Sequence, residues 1–409
     1  MQTTPLPKLQ VFLTLSIQIS EPITAMVIYP FVIEAVRRTG ITQGDEKKTG
    51  YYAGIMESLF FISESLSVYH IGRASDFYGR KPVLLIGPLG LTLAMLGFGL
   101  SKSFWGMALF RLCMGVSNGS IGVSKTVMAE YTDVTNRANA FTLIPIMWTV
   151  GTVIGPAIGG LLADPAATWP RTFGRLAFFI EYPWFLPCFA AGLIAFSAFL
   201  LSSWGLKETL RTKITKKRSS SLLDDSENSQ PASYGTIQNL NDDLSTTPLL
   251  PEVPPTTVSL LCDPHLRILL VCTSFLAFTD MAYSALLPLI YNTSIPLGGL
   301  GLSPYQIGLI LGTYGLFNGV WNWTVLTRLL KRIGSRNTFV ACYTLFLLHF
   351  MILWVLRDTA RWFGSTNWVV WGLLGVQLFV YTATNTAYNA FHLMLVSSAP
   401  PNAWVLPMV

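Results

Sequence analysis

Five ionisable residues stand within long apolar stretches: Glu21, Glu57, Glu64, Arg111 and Asp280. A charge surrounded by hydrocarbon is costly, so one retained there marks a solute pathway, a proton site or an ion pair. Glu57 and Glu64 are seven positions apart, about 20° of helical rotation, so one face carries both acids. Glu21 follows Gln18 by a turn. A carboxyl group withdrawn from water can take up and release a proton near neutral pH. The alternative for each residue is structural: an ion pair, or a helix-end position facing headgroups. A second polar set comprises Gln377, Tyr381, Asn385, Tyr388 and His392. On a helix these fall within roughly 80° of one another. Such a stripe inside an apolar span should face a water-filled path. His392 taken alone reads as a packed or interfacial histidine.

Other chemistries find no support. There is no nucleophile–base constellation, Walker sequence or dinucleotide fingerprint, so neither an enzyme nor an ATP-driven pump is expected, and no cofactor. No His, Cys, Asp or Glu cluster has metal-ligand spacing, so no metal site is expected and zinc transport is unsupported. Cys113, Cys188, Cys262, Cys272 and Cys342 are scattered. Four read as small apolar residues in spans and Cys262 as a loop residue, without a disulfide frame.

These residues must be positioned by membrane helices. Of 409 residues, 51% are hydrophobic and 12% charged, against about 25% charged in soluble domains. The mean hydropathy is +0.49. Apolar blocks lie near 10–35, 50–71, 82–101, 105–127, 138–162, 175–203, 266–290, 305–327, 338–356 and 368–396. Each is long enough for a helix to cross a bilayer and lacks the alternation of barrel strands. Glu21 and the length of the first block argue against a cleaved signal peptide. With the N-terminus in the cytoplasm, cytoplasmic segments hold about seventeen Lys and Arg and outer segments about nine, as the positive-inside rule requires. Both termini are then cytoplasmic. The net charge of +6 suits anionic lipid better than nucleic acid.

Residues 1–203 supply six spans and 265–397 four. Between them, 204–264 is rich in Ser, Thr, Pro, Asn and Asp and reads as a disordered cytoplasmic tether. A phosphorylation switch at Ser219–Ser221, beside Lys216-Lys217-Arg218, is the sharper alternative. The sequon Asn292-Thr293-Ser294 hugs a helix end, which disfavours glycosylation. Residues 398–409 form a short tail.

Three local patterns carry a family resemblance. The first is Gly72-Arg73-Ala74-Ser75-Asp76-Phe77-Tyr78-Gly79-Arg80-Lys81-Pro82. A tight cytoplasmic turn explains its glycines, its bases and Pro82 at a helix start, but not Asp76. The stretch resembles the signature loop of the major facilitator superfamily, Gly-x-x-x-Asp-(Arg/Lys)-x-Gly-Arg-(Arg/Lys), with Phe77 where a base is usual. Arg111 to Gly115 resembles that family's Arg-x-x-x-Gly element. Gly151, Gly155, Pro156, Gly159 and Gly160 resemble its antiporter-type Gly-Pro-x-x-Gly-Gly helix. Small residues there let helices approach closely, and Pro156 bends the helix. Arg332-Ile333-Gly334-Ser335-Arg336 echoes the signature loop in the second half, as related halves would. The text from Glu21-Pro22 to Pro82 also resembles the fungal and plant branch of zinc-induced-facilitator-like and drug/proton antiporter-related carriers.

The resemblance implies an all-α helical bundle of the major facilitator type, with about ten spans where the family has twelve. It implies alternating access around a midplane site, with proton-coupled export of a small organic solute. Gly72, Asp76, Gly79, Arg80, Lys81, Gly151, Gly155, Pro156, Gly159 and Gly160 would form the conformational switch. Expected partners are a small-molecule solute, protons and the bilayer, with no nucleic acid; oligomeric state stays open. The plasma membrane and the vacuolar membrane are equal candidates for its location. The alternative is a truncated, carrier-derived regulator without transport. The segment after Ser398 is too short to span and contains Pro400-Pro401, so the chain alone is expected to need two further helices or a partner.

Overall fold

A computed structural model describes residues 4–133, 135–210 and 264–398, apart from a few side chains. The expected tether beyond Leu210, with Ser219–Ser221 and Cys262, lies outside the described residues, as does the segment from Ala399. The described elements are helices, with no strand among them.

The first half runs α1 (Lys8–Met26), α2 (Val32–Arg38), α3 (Glu46–Tyr78), α4 (Arg80–Gly99), α5 (Phe104–Asn118), α6 (Ile121–Tyr131), α7 (Arg137–Phe141) and α8 (Leu143–Leu162). Short helices α9 (Pro165–Thr168), α10 (Pro170–Phe173) and α11 (Ala177–Glu181) lead to α12 (Phe185–Gly205). The second half contains α13 (Pro264–Asn292), α14 (Pro304–Trp321), α15 (Thr327–Phe363) and α16 (Trp368–Ser398). Several apolar blocks are interrupted. The block at 10–35 breaks between Met26 and Val32, and that at 105–127 breaks at Gly119-Ser120. The block at 175–203 starts its long helix only at Phe185. Hydropathy sees continuous apolar character and is blind to a local turn that pairs its own backbone. Among the described residues, five helices are long and apolar enough to cross a membrane by composition alone. Others, such as α3 with Glu57 and Glu64 in its middle, carry too many polar positions to meet that measure.

Helix starts follow side-chain chemistry. Asp45 accepts from the backbone N–H of Lys47 at 3.0 Å, and Ser103 caps α5. Ser303 and Gln306 form a reciprocal capping box at α14, which satisfies donors the helix leaves unpaired. The signature loop is tighter than its glycines suggest. Gly72 is helical, with open space around it, and α3 continues to Tyr78. The turn is confined to Gly79, at φ 104° and ψ 155°. Gly334 adopts nearly the same conformation inside α15, at φ 77° and ψ 166°. Each half therefore makes the same glycine break between consecutive helices. Between α14 and α15, Asn322–Leu326 forms a π-helical segment.

The helices pack through small residues. Along α8, Gly151 meets Pro22 and Gly159 meets the carbonyl of Val27, which caps the C-terminus of α1. A Cβ on Gly155 would stand 3.1 Å from the Ile23 carbonyl oxygen. On the opposite face of α8, Gly160 lies against Gly308 of α14. A Cβ on Gly160 would stand 2.7 Å from the Pro304 carbonyl oxygen, and one on Gly308 would stand 2.8 Å from that of Pro156. With no hydrophobic drive between helices in lipid, such close approach supplies the dispersion contact that holds them.

Candidate functional site

Between the two sets of helices lies a cavity of about 410 Å³, within the range of small-molecule sites. At one end it is sealed. Met26 and Tyr29 there share an apolar cluster with Tyr283, Leu287, Ile307 and Leu311. Gly160 and Gly308 close beside them, and Ser294 donates a hydrogen bond to Glu46 at 3.0 Å across the halves. That bond engages the last residue of the sequon. Asn292 itself is buried and donates to the Leu302 carbonyl at 3.2 Å, so its amide is already occupied.

The first-half wall carries Gln18, Glu21, Glu64 and Lys125. Glu21 and Glu64 interact directly through their carboxyl groups, with the Asn118 amide and the Lys125 ammonium beside both. Gln18 donates to Ser124 at 2.9 Å, which ties α1 to α6 behind the acids. Glu57 and Arg111 do not line the cavity. Arg111 is fully buried, donates to the Ala25 carbonyl at 3.3 Å and lies 4.6 Å from the Phe60 ring centroid. Glu57 is buried near it, with one carboxylate oxygen unpartnered. Glu57 and Glu64 of α3 therefore have different surroundings.

The second-half wall carries Asp280 and two matching stripes, Tyr314-Asn318-Asn322 on α14 and Tyr381-Asn385-Asn389 on α16. The tyrosine rings stack at 4.7 Å and 15°. Asn385 donates to the Tyr314 hydroxyl at 3.4 Å, Asn389 to Asn322 at 3.0 Å and Asn322 to Asn318 at 3.2 Å. Asn322 opens the π-helical segment; such segments are common at functional sites. Tyr388 also lines the cavity. The side chain of His392 lies outside the described residues. Gln377 is fully buried behind the wall. It accepts from Tyr291 at 2.6 Å, donates to Tyr283 and stands 3.3 Å from His349. The α16 stripe thus divides between the cavity and a buried polar cluster.

Sequence reasoning missed the α14 stripe, although its spacing repeats that of α16. It also missed Tyr29, Lys125, Asn118 and His349, whose positions single-helix periodicity does not distinguish.

At the opposite end from the seal, the signature loop forms a charge relay. Arg80 bridges Asp76 at 2.6 Å and Glu130 at 3.3 Å, and donates to Ser75. Glu208 accepts from the backbone N–H groups of Arg80 and Lys81 at 2.8 and 3.2 Å, which caps α4. Lys81 donates to the Ser203 carbonyl at 2.9 Å. Phe77, where a base is usual, is exposed.

The architecture and these motifs agree with what the chain resembles. The profile of the Major Facilitator Superfamily matches residues 14–403. The Major facilitator-type transporter psiT2 of Psilocybe cyanescens is 32% identical over 370 residues, 88% of this chain and 70% of that protein. Efflux pump azaK of Aspergillus niger is 31% identical over 78% of this chain and 59% of its own length. Protein ZINC INDUCED FACILITATOR-LIKE 1 of Arabidopsis thaliana is 31% identical over 70% of this chain and 57% of its own length. The chain thus spans between 57% and 70% of these relatives. Among solved structures, the human organic anion transporter MFSD10 matches 99% of this chain and 89% of its own, with a TM-score of 0.58 at 18% identity. A bacterial homolog of the human lysosomal transporter Spinster, inward-facing and unoccupied, matches 99% of this chain and 78% of its own, with a TM-score of 0.65 at 14% identity. With its helical bundle, paired glycine breaks and inter-half cavity, the chain belongs to the Major Facilitator Superfamily of multi-pass membrane transporters.

Proposed function

We propose that the protein exports a small organic solute in exchange for protons, by alternating access of the inter-half cavity. The observation that carries this reading is the Glu21–Glu64 carboxyl pair on the cavity wall. Two carboxyl groups in contact hold a shared proton more readily than two charges. Separating α1 from α3, or bringing a cation to either acid, alters that preference and releases the proton. Lys125 limits the negative charge left behind.

The positive-inside count supports cytoplasmic termini, so the cavity would face the cytoplasm and the Gly160–Gly308 seal the outside. Residues 1–203 and 265–397 act as the moving halves, with 204–264 as tether. Parting α8 from α14 would open the outer path. An efflux pump among the relatives supports export. Neither the cavity nor the relatives favour a transport-inactive regulator.

The test is flux from proteoliposomes with an imposed pH gradient. Wild type should show gradient-driven movement, and Glu64→Gln should retain exchange without a gradient but lose the gradient's effect. Equal gradient dependence in wild type, Glu21→Gln and Glu64→Gln would remove this pair from coupling.

A further inference from the structure

Asp280 sits on the cavity wall opposite the Glu21–Glu64 pair. It shares that cavity with four tyrosines: Tyr29 in the turn after α1, Tyr314 on α14, and Tyr381 and Tyr388 on α16, and the Tyr381 hydroxyl donates to its carboxyl group. Ser284, one turn further along α13, meets the Tyr381 hydroxyl at 3.0 Å. Among the described residues, no Lys, Arg or His forms an ion pair with Asp280. The cavity's lysine, Lys125, stands instead with Glu21 and Glu64. A carboxylate in a tyrosine-lined cavity, without a protein cation paired to it, has the chemistry that recognises an organic ammonium. Beyond it, Asn318, Asn322, Asn385 and Asn389 present amide groups along the same wall.

We propose that the cavity takes an aromatic organic cation, with its ammonium on Asp280 among the tyrosines and a hydrogen-bonding substituent on the asparagine ladder. This rests on the transport reading above and assigns its substrate class. Solute and proton then use different acids on opposite walls.

The test uses phenethylammonium, 2-phenylethanol and 3-phenylpropanoate as probes, titrated calorimetrically against the full chain in lipid nanodiscs at neutral pH. The ammonium should bind at least tenfold tighter than the alcohol, and the carboxylate weakest. Asp280→Asn should reduce the ammonium preference below twofold, and Asp280→Glu should restore most of it, which excludes misfolding as the cause. A preference for the carboxylate, no binding of any probe, or an ammonium preference that survives in Asp280→Asn overturns the assignment. Gradient-driven flux in Glu64→Gln is read separately. Coupling that fails there leaves the ammonium preference intact, and a failed preference leaves the coupling result standing.

Discussion

Glu64 of α3 meets Glu21 of α1 on the cavity wall, whereas Glu57, on the same face of α3, is buried beside Arg111 away from the cavity. Replacing either acid of α3 by glutamine keeps shape and removes a titrating group. Glu57→Gln should therefore retain gradient-driven flux, and Glu64→Gln should lose it by at least tenfold. Solute-induced proton movement in liposomes carrying a pH-sensitive dye separates the two. Loss in Glu57→Gln with retention in Glu64→Gln would reverse the assignment.

The Gly160–Gly308 contact leaves no room for a side chain. Gly160→Leu should force α8 from α14 and favour the conformation open at that end. Overpacking of this kind costs about 1–3 kcal/mol, roughly a five- to 150-fold population shift. Labelling of single cysteines placed near Tyr29 should speed up from the outer side. Gly375→Ala, which adds a methyl group to open space, should leave labelling unchanged.

Gly79 and Gly334 share a backbone conformation that L side chains rarely adopt. Alanine at either position should destabilise the protein by about 1–3 kcal/mol through backbone strain. Thermal unfolding in detergent reads this directly. Alanine at helical Gly72 should be neutral or slightly stabilising.

Asp76 pairs with Arg80, which also holds Glu130. Asp76→Asn removes one arm of the relay and leaves the α4 cap at Glu208 in place. It should shift the conformational balance and lower turnover more than substrate affinity. Glu208→Ala removes the cap itself and should cost about 1 kcal/mol of stability. A Glu208→Ala protein that melts like wild type would show that the two backbone bonds contribute nothing.

The amino-acid sequence by itself determined the helical bundle, the signature loop, the glycine face of α8 and the polar stripe of α16. Those features depend on local quantities: hydropathy over a span, the conformational freedom of glycine, and the angular spacing of one helix. It could place Glu57 and Glu64 on one face because seven residues nearly complete two turns. It could not say which acid reaches the cavity. α3 is 33 residues long, so the same face passes different neighbours along its length. At Glu57 that neighbour is α5 with Arg111, and at Glu64 it is α1 with Glu21. The tyrosines that share the cavity wall with Asp280 likewise come from segments far apart in sequence. Only the tertiary packing decides such meetings, because one helix's periodicity fixes the direction of a side chain but not what stands there.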